Sequence, residues 1–416
     1  MAKNIVLICG GYHPNFSATG NCVRQIANCF VSRGMNVYLL SISPDANEST
    51  EDFEGQKIYR VVSKRSKAFA DIRSNKMGRL KVVAVKSYWA VRKLLAKSGM
   101  DEGLVKAYVN KLEEISDIKI DAVLPCIMPA ESFKAGYIFC KKHGIPLFPI
   151  LYDRYSDNRD YFRYTWAHKL KRKSAEKLEK DVFDYSKMVY YIDNWAGYFA
   201  ANRRDNAMRV EHPLVVKRAD IPAKPLDGAT EITAVYQGEI NHQMRPPQAM
   251  LTAFETIAKS DPSVSLHVFA SGNGVEDVKS AAARNPESIK FYGKVSKELA
   301  EQYYSAADFT VILANKDKEI VSSKIFESVA SGYPVIYFYF SEDETSYKLL
   351  QKYPLVLCVR QDKVAEECDR IREWMYENKG RRVDFELVRK AYDDATPDMV
   401  VDTSLGILEG VKTGNG

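Results

Sequence analysis

At 416 residues the chain is longer than one hydrophobic core usually supports, so two domains are expected. An apolar fraction of 46% beside a charged fraction of 27% fits a folded soluble protein and sets aside disordered and fibrous classes. The net charge of +6 is not spread evenly: residues 60–97 hold twelve Lys or Arg against one acid, Asp71, so that stretch carries +11 and the remainder nets −5.

The opening NIVLICG reads as a buried first strand, its apolar residues running without alternation. This run stops at about six residues, too short for a secretory segment, and no run approaches the roughly 20 residues that span a bilayer. The expected location is therefore cytoplasmic, either soluble or lying on a membrane. GYHPNFSATG then turns through a loop, and NCVRQIANCFVSRG continues as a helix with Val23, Ile26, Ala27 and Phe30 on one face before NVYLLSI resumes as a strand. His13, beside Pro14, is a candidate ligand contact. The loop lacks Gly-x-Gly-x-x-Gly, which counts against a dinucleotide-dependent dehydrogenase, since that fingerprint needs its glycines for a tight turn and close pyrophosphate approach. Cys9, Cys22, Cys29, Cys126, Cys140, Cys358 and Cys368 are odd in number and lack Cys-x-x-Cys spacing, so they read as reduced core residues, with neither a disulfide framework nor a zinc site.

The basic stretch contains LKVVAVKSYWAVRKLLAK. A helical projection puts Lys81, Lys86, Arg92, Lys93 and Lys97 on one arc and Val83, Tyr88, Val91, Leu94 and Leu95 on the opposite arc, with Trp89 in or beside the basic arc. Two readings stay open. The helix lies on an anionic membrane surface, each cation contributing about 1 kcal/mol, or it faces the core with a solvated basic side. No RNA- or DNA-binding motif accompanies the patch, so no nucleic acid partner is expected.

DAVLPCIMPAESF and GIPLFPILYD read as two further strands separated by the helical KAGYIFCKKH. Periodicity then breaks in HPLVVKRADIPAKPLDGATE, where Pro213, Pro222, Pro225 and Gly228 mark a linker. The expected domains are residues 1–212 with a basic insertion about 60–97, a linker at 213–228, a second domain at 229–375, and C-terminal helices at 376–416. In the second domain ITAVYQG is a strand ending at Gly238, VSLHVFASGNG a strand running into Gly272 and Gly274, VEDVKSAAARN a helix, and IKFYGKVS another strand. ELAEQYYSAADFTVIL continues helix and strand up to Glu319. The segment EIVSSKIFESVASGYPVIYF then gives loop, helix and strand, with the helix beginning near Ser322 or Ser323, whose side chains cap free N–H groups, and ending at Gly332 before Pro334. The same N–H groups can receive a phosphate, an anion there being favoured by about 0.3 to 1 kcal/mol per charge. Glu319 falls just outside the helix and Glu327 about one turn inside. This pair suits a pocket that reads a nucleotide and its sugar, although two glutamates so spaced are elsewhere solvated helix charges.

The segment from Glu319 to Phe338 resembles the donor-site motif of the retaining glycosyltransferases of family 4. The resemblance implies an α/β protein of GT-B fold, two Rossmann-like domains with parallel sheets facing across a cleft. It also implies roles: Glu319 contacts the transferred sugar, Glu327 holds the ribose hydroxyls, and Arg245, a few positions after Gly238, faces the diphosphate. Relatives often carry an arginine directly after that glycine, where this chain has Glu239, so diphosphate binding rests on Arg245 with Lys324 and the N–H groups at Ser322 and Ser323. Arg245, Pro246 and Pro247 match an Arg-x-Pro subset. The turn at residues 292–295, Val295 included, reads the base through its backbone, and the Gly20 backbone approaches the donor phosphate. Many relatives place a histidine where residues 125–131 have none. The C-terminal helices after Glu366 cross back to the first domain.

The resemblance further implies a retaining hexosyltransferase using a nucleotide diphosphate sugar as donor and a glycan or lipid-linked glycan as acceptor, in cell-surface polysaccharide synthesis on the inner face of the membrane. No metal and no cofactor beyond the donor are expected, since no Asp-x-Asp pair follows a strand. The favoured family course is front-face attack with the leaving phosphate deprotonating the acceptor. A nucleotide-sugar epimerase, or a non-catalytic membrane-associated subunit of the same fold, are the rival readings.

Overall fold

The computed structural model describes residues 2–74, 76–95, 99–156, 165–218 and 222–410. They form two compact units, one of Met1–Pro213 with Asp394–Gly416, the other of Leu214–Asp393.

The first unit opens on β1 (Asn4–Ile8), buried from Ile5 to Ile8 as a central parallel strand must be, because helices cover both its faces. In α1 (Ala18–Ser32) the Ser17 hydroxyl accepts from the Gly20 N–H and so caps the first turn. Next come β2 (Asn36–Ile42), the hairpin β3 (Thr50–Phe53) and β4 (Gln56–Val61), then α2 (Lys64–Arg73), α3 (Arg79–Leu95) and α4 (Glu102–Glu114). β5 (Ala122–Pro125) and α5 (Ala130–His143) follow. The sheet order is β3-β4-β2-β1-β5, parallel except for the β3 edge. β6 (Ile150–Leu151), α6 (Thr165–Tyr185), β7 (Val189–Tyr191), α7 (Ala196–Asn202) and β8 (Ala207–Arg209) add a short parallel sheet, tied to the first by a bridge between Cys126 and Ile150. The strand expected over GIPLFPILYD shrinks to the two residues of β6 because Pro146 and Pro149 have no N–H to give a ladder.

The second unit is a doubly wound sheet: β9 (Ile232–Glu239), α8 (Gln248–Ser260), β10 (Val264–Ser271), α9 (Val275–Arg284), β11 (Ile289–Phe291), α10 (Lys297–Tyr304) and β12 (Phe309–Leu313). It continues through α11 (Lys324–Ala330), β13 (Val335–Tyr339), α12 (Thr345–Leu350), β14 (Val356–Arg360), α13 (Val364–Asn378) and α14 (Phe385–Ala391). All six strands are parallel, in the order β11-β10-β9-β12-β13-β14, and β12 and β13 are buried along their whole length. Leu226, in the segment read as linker, packs with Phe269, Tyr303 and Tyr304 of this unit. α13 and α14 stay here. The final helix, α15 (Pro397–Leu408), belongs instead to the first unit, where Asp398 pairs with Arg33 at 2.6 Å and the Ser404 hydroxyl meets Tyr190 Oη at 2.6 Å.

The helix read in the basic stretch is α3, but the core-facing reading of its apolar arc fails. Leu80, Val83, Tyr88, Val91 and Leu95 are all exposed. Lys97 lies outside the described residues, as do the side chains of Lys93 and Leu94. No helix among the described residues is long and apolar enough to cross a membrane.

Candidate active site

The second sheet reverses its winding between β9 and β12, so the segments leaving these two strands diverge and open a crevice at their carboxyl ends. A cavity lies here, lined by Arg218, Tyr236, Gln237, Arg245, Tyr304, residues 310–313, Ser322, Lys324, Glu327 and Ser328. Three cations against one carboxylate give the lining a net charge of +2.

Arg245 sits in the loop after β9, closed by paired bonds between the Asn241 and Arg245 backbones, 3.1 Å from the Asn241 N–H to the Arg245 carbonyl and 2.6 Å in return. Its Nη2 donates to Asn315 Oδ1 at 2.9 Å, which fixes the guanidinium plane, while its Nε is buried without a hydrogen-bond partner. A buried donor in that condition costs free energy until an acceptor arrives. Gly238 makes the arrangement fit: a Cβ there would stand 3.1 Å from Tyr236 Oη and 3.8 Å from Arg245 Nη1. Burial pushes the Tyr236 phenol up to about 12, with Arg245 pulling the other way, and its hydroxyl donates to the Glu239 carbonyl at 2.9 Å. Glu239 itself is exposed and does not line the cavity.

From the other strand comes α11. Its N-terminus is at Ser323, but neither predicted serine caps it through a side chain. Ser323 has helical dihedrals, and the Ile325 N–H goes to the Ser322 carbonyl at 3.0 Å, so the turn closes through backbone. Ser322, Lys324 and Glu327 line the cavity; Ser323 does not. Lys324 Nζ pairs with Glu327 Oε2 at 2.5 Å, and the Glu327 carboxylate is mostly buried. Gly332 ends the helix as expected, in the left-handed region at φ +75°.

Two contributors escaped the sequence reading. Arg218 Nη2 donates to the Glu327 carbonyl at 3.1 Å, and its guanidinium lies 5.1 Å from the Tyr304 ring centre. It stands in VVKRAD, inside a proline-broken stretch where a basic pair gives no signal of its own. Asn315 likewise carries no pattern. Besides Arg245 it holds the Ile320 carbonyl at 3.1 Å, and the Lys316 N–H reaches the Met244 carbonyl at 2.8 Å, so the loops after β9 and β12 are sewn together.

The remaining predicted residues are not gathered at this cavity. Glu319 is exposed on the loop after β12, its N–H bonded to Asp317 at 3.1 Å. Val295 packs half-buried with Tyr292, whose ring stacks on Phe269 at 4.4 Å. In the first unit, Gly20 gives its N–H to Ser17 at 3.0 Å, and a Cβ on it would collide with the Gly11 carbonyl at 1.9 Å. His13 stacks on Phe53 at 4.1 Å. Lys81, Lys86 and Arg92 are exposed on α3.

Residues 231–357, from β9 into β14, match the family model described as Glycosyl transferases group 1. That span holds every cavity residue except Arg218. No curated protein matches the chain. Among solved structures, the α,α-trehalose 6-phosphate synthase of Burkholderia multivorans is similar over 99% of this chain and 97% of its own, at 13% identity and a TM-score of 0.57. The Anabaena protein HepE, solved in complex with UDP-glucose, covers 98% of this chain and 99% of its own at 11% identity and a TM-score of 0.56. A putative UDP-N-acetylglucosamine 2-epimerase of Listeria monocytogenes covers 100% and 98% at 10% identity and a TM-score of 0.53. At such identities these likenesses establish the fold, GT-B, and nothing finer. With the group 1 domain on that fold, the chain is a glycosyltransferase.

Proposed function

We propose that the chain is a retaining transferase that moves a hexose or related sugar from a nucleoside diphosphate to a glycan or lipid-linked glycan acceptor, in the synthesis of a cell-surface polysaccharide. The observation that carries this reading is the cationic cavity at the β9/β12 reversal, with the unpartnered Arg245 Nε inside it. A diphosphate satisfies that donor and neutralises the surplus charge.

The free protein has Lys324 held by Glu327. A diphosphate arriving beside Arg245 and Arg218 draws the ammonium to itself and releases the Glu327 carboxylate to accept from the ribose hydroxyls. Glu319, on the loop sewn to the Arg245 loop, takes the transferred sugar. As the bond between the anomeric carbon and the leaving oxygen breaks, negative charge grows on the diphosphate, and fixed cations stabilise it without reorganising. The acceptor oxygen bonds to the same face of that carbon and its proton passes to the leaving phosphate. The scheme uses the chain's own cations and needs no metal.

The test is a panel of nucleotide sugars with and without glycan acceptors, read as nucleoside diphosphate release. Release that depends on an acceptor, with the anomeric configuration kept in the product, is expected. Conversion of the sugar without release would instead identify an epimerase, and silence with every donor would identify a non-catalytic subunit.

A further inference from the structure

The α2–α3 segment carries a surface pattern opposite to that of a soluble helix. With a turn of about 100° per residue, Val83, Leu80, Val91 and Leu95 fall on one arc about 160° wide or less, together with Ala84, Ser87, Ala90 and, at its rim, Tyr88. No charge interrupts this arc. Leu80 is 89% exposed, Val83 61%, Val91 53% and Leu95 76%. The stripe that is partly covered is the other one, formed by Val82, Val85 and Trp89, and it is flanked on both sides by cations, Lys81 and Arg92 on one side and Arg79 and Lys86 on the other. α2, the helix that α3 packs beside, adds Lys64, Arg65 and Lys67.

We infer that α3 lies in the headgroup region of an anionic lipid surface, with its outward apolar arc in the acyl boundary and Lys81, Lys86, Arg92 and Arg79 along its edges at phosphate level. An apolar arc this broad, rimmed by cations whose long stems can reach outward, fits an interface between hydrocarbon and anionic headgroups. The charge of residues 60–97 selects among occupants. A second copy of this chain would bring the same +11 against itself, whereas a surface of phosphate headgroups complements it. The inference adds a physical attachment surface to the proposed lipid-linked chemistry and does not depend on it, because it concerns the first unit alone.

The experiment is co-sedimentation of the full chain with phosphatidylcholine vesicles, alone or carrying about one third phosphatidylglycerol. The wild type is expected on the anionic vesicles at least roughly tenfold more tightly than on the neutral ones. The variant Leu80→Ser/Val83→Ser/Val91→Ser/Leu95→Ser and the variant Lys81→Gln/Lys86→Gln/Arg92→Gln should each lose about tenfold or more of that binding while keeping the wild-type melting temperature, since the altered side chains are exposed. Wild-type protein left in the supernatant, or binding by either variant equal to that of the wild type, overturns the inference. So does a wild-type dimer that the serine variant reduces to monomer in sedimentation equilibrium, for the arc then has another copy as its occupant. Nucleotide-sugar turnover measured on the same samples with a soluble acceptor separates this outcome from failure of the transferase reading.

Discussion

Arg245 shows how a residue becomes useful through its surroundings. Asn315 orients it, Gly238 gives it room, and the buried Nε is left without a hydrogen-bond partner. Replacing it with alanine removes charge-assisted bonds worth about 1.5 to 3 kcal/mol, so Arg245→Ala should weaken nucleoside diphosphate binding by roughly tenfold to a hundredfold, measured by titration calorimetry. Arg218→Ala should act in the same direction. Glu327→Ala is more diagnostic, because removing a carboxylate leaves Lys324 unopposed. It should weaken the nucleoside diphosphate while leaving inorganic pyrophosphate bound equally or better; equal loss of both ligands would remove the ribose assignment. Away from the cavity, burial first and Lys290 next lower His267 from 6.5 to about 4, and it stays neutral between the Ser265 hydroxyl at 3.1 Å and the Tyr292 hydroxyl at 2.9 Å. The unfolded chain therefore binds the proton that the folded one refuses. Stability is full above pH 6.5 and is lost as pH falls from 6.5 towards 4, by on the order of 2 to 3 kcal/mol from this residue. Melting temperatures across that window should fall less steeply in His267→Gln than in the wild type.

At the scale of elements, sequence signals were strongest where one local cause decides. The strands FTVIL and VIYFY and the stop at Gly332 were all legible, since an unbroken apolar run and a glycine before a proline each carry their own physics. The capping serines show the limit. Ser296 does cap α10, accepting from the Leu299 N–H, whereas Ser323 leaves its side chain out of the turn. Ser296→Ala should accordingly cost about 0.5 to 2 kcal/mol, and Ser323→Ala almost nothing in the free protein, as read from chemical denaturation. Gly332→Ala adds left-handed strain and puts a Cβ 2.6 Å from the Val383 carbonyl, so a loss of about 1 to 3 kcal/mol is expected. For α3 the projection found both arcs and could not say which one faced inward, because periodicity fixes faces relative to each other and not to the core.

At the scale of the molecule, the chain leaves the first unit at Pro213 and returns at Asp394. α15 then contributes buried Val400 and Val401 and the Arg33–Asp398 pair to a unit whose other residues end more than 180 positions earlier. Truncation after Asp393 should expose the first unit to limited proteolysis while Leu214–Asp393 stays resistant, since α13 and α14 remain with it. If the chain's own cations neutralise the leaving diphosphate, turnover should survive a chelator at millimolar excess; abolition by chelator and rescue by a divalent ion would remove that step.

By itself the sequence determined the alternation of strand and helix, the parallel α/β class, the loop, helix and strand around Glu327 and the concentration of positive charge in residues 60–97. These are local or additive properties, set by neighbours a few positions apart. The tertiary structure alone decided that Arg218 and Asn315 join Arg245, that Glu327 is held by Lys324, that α15 rejoins the first unit, and that the apolar arc of α3 points outward. Each of those depends on contacts between segments distant in the chain, and the free energy of such contacts resides in packing that no short window of sequence contains.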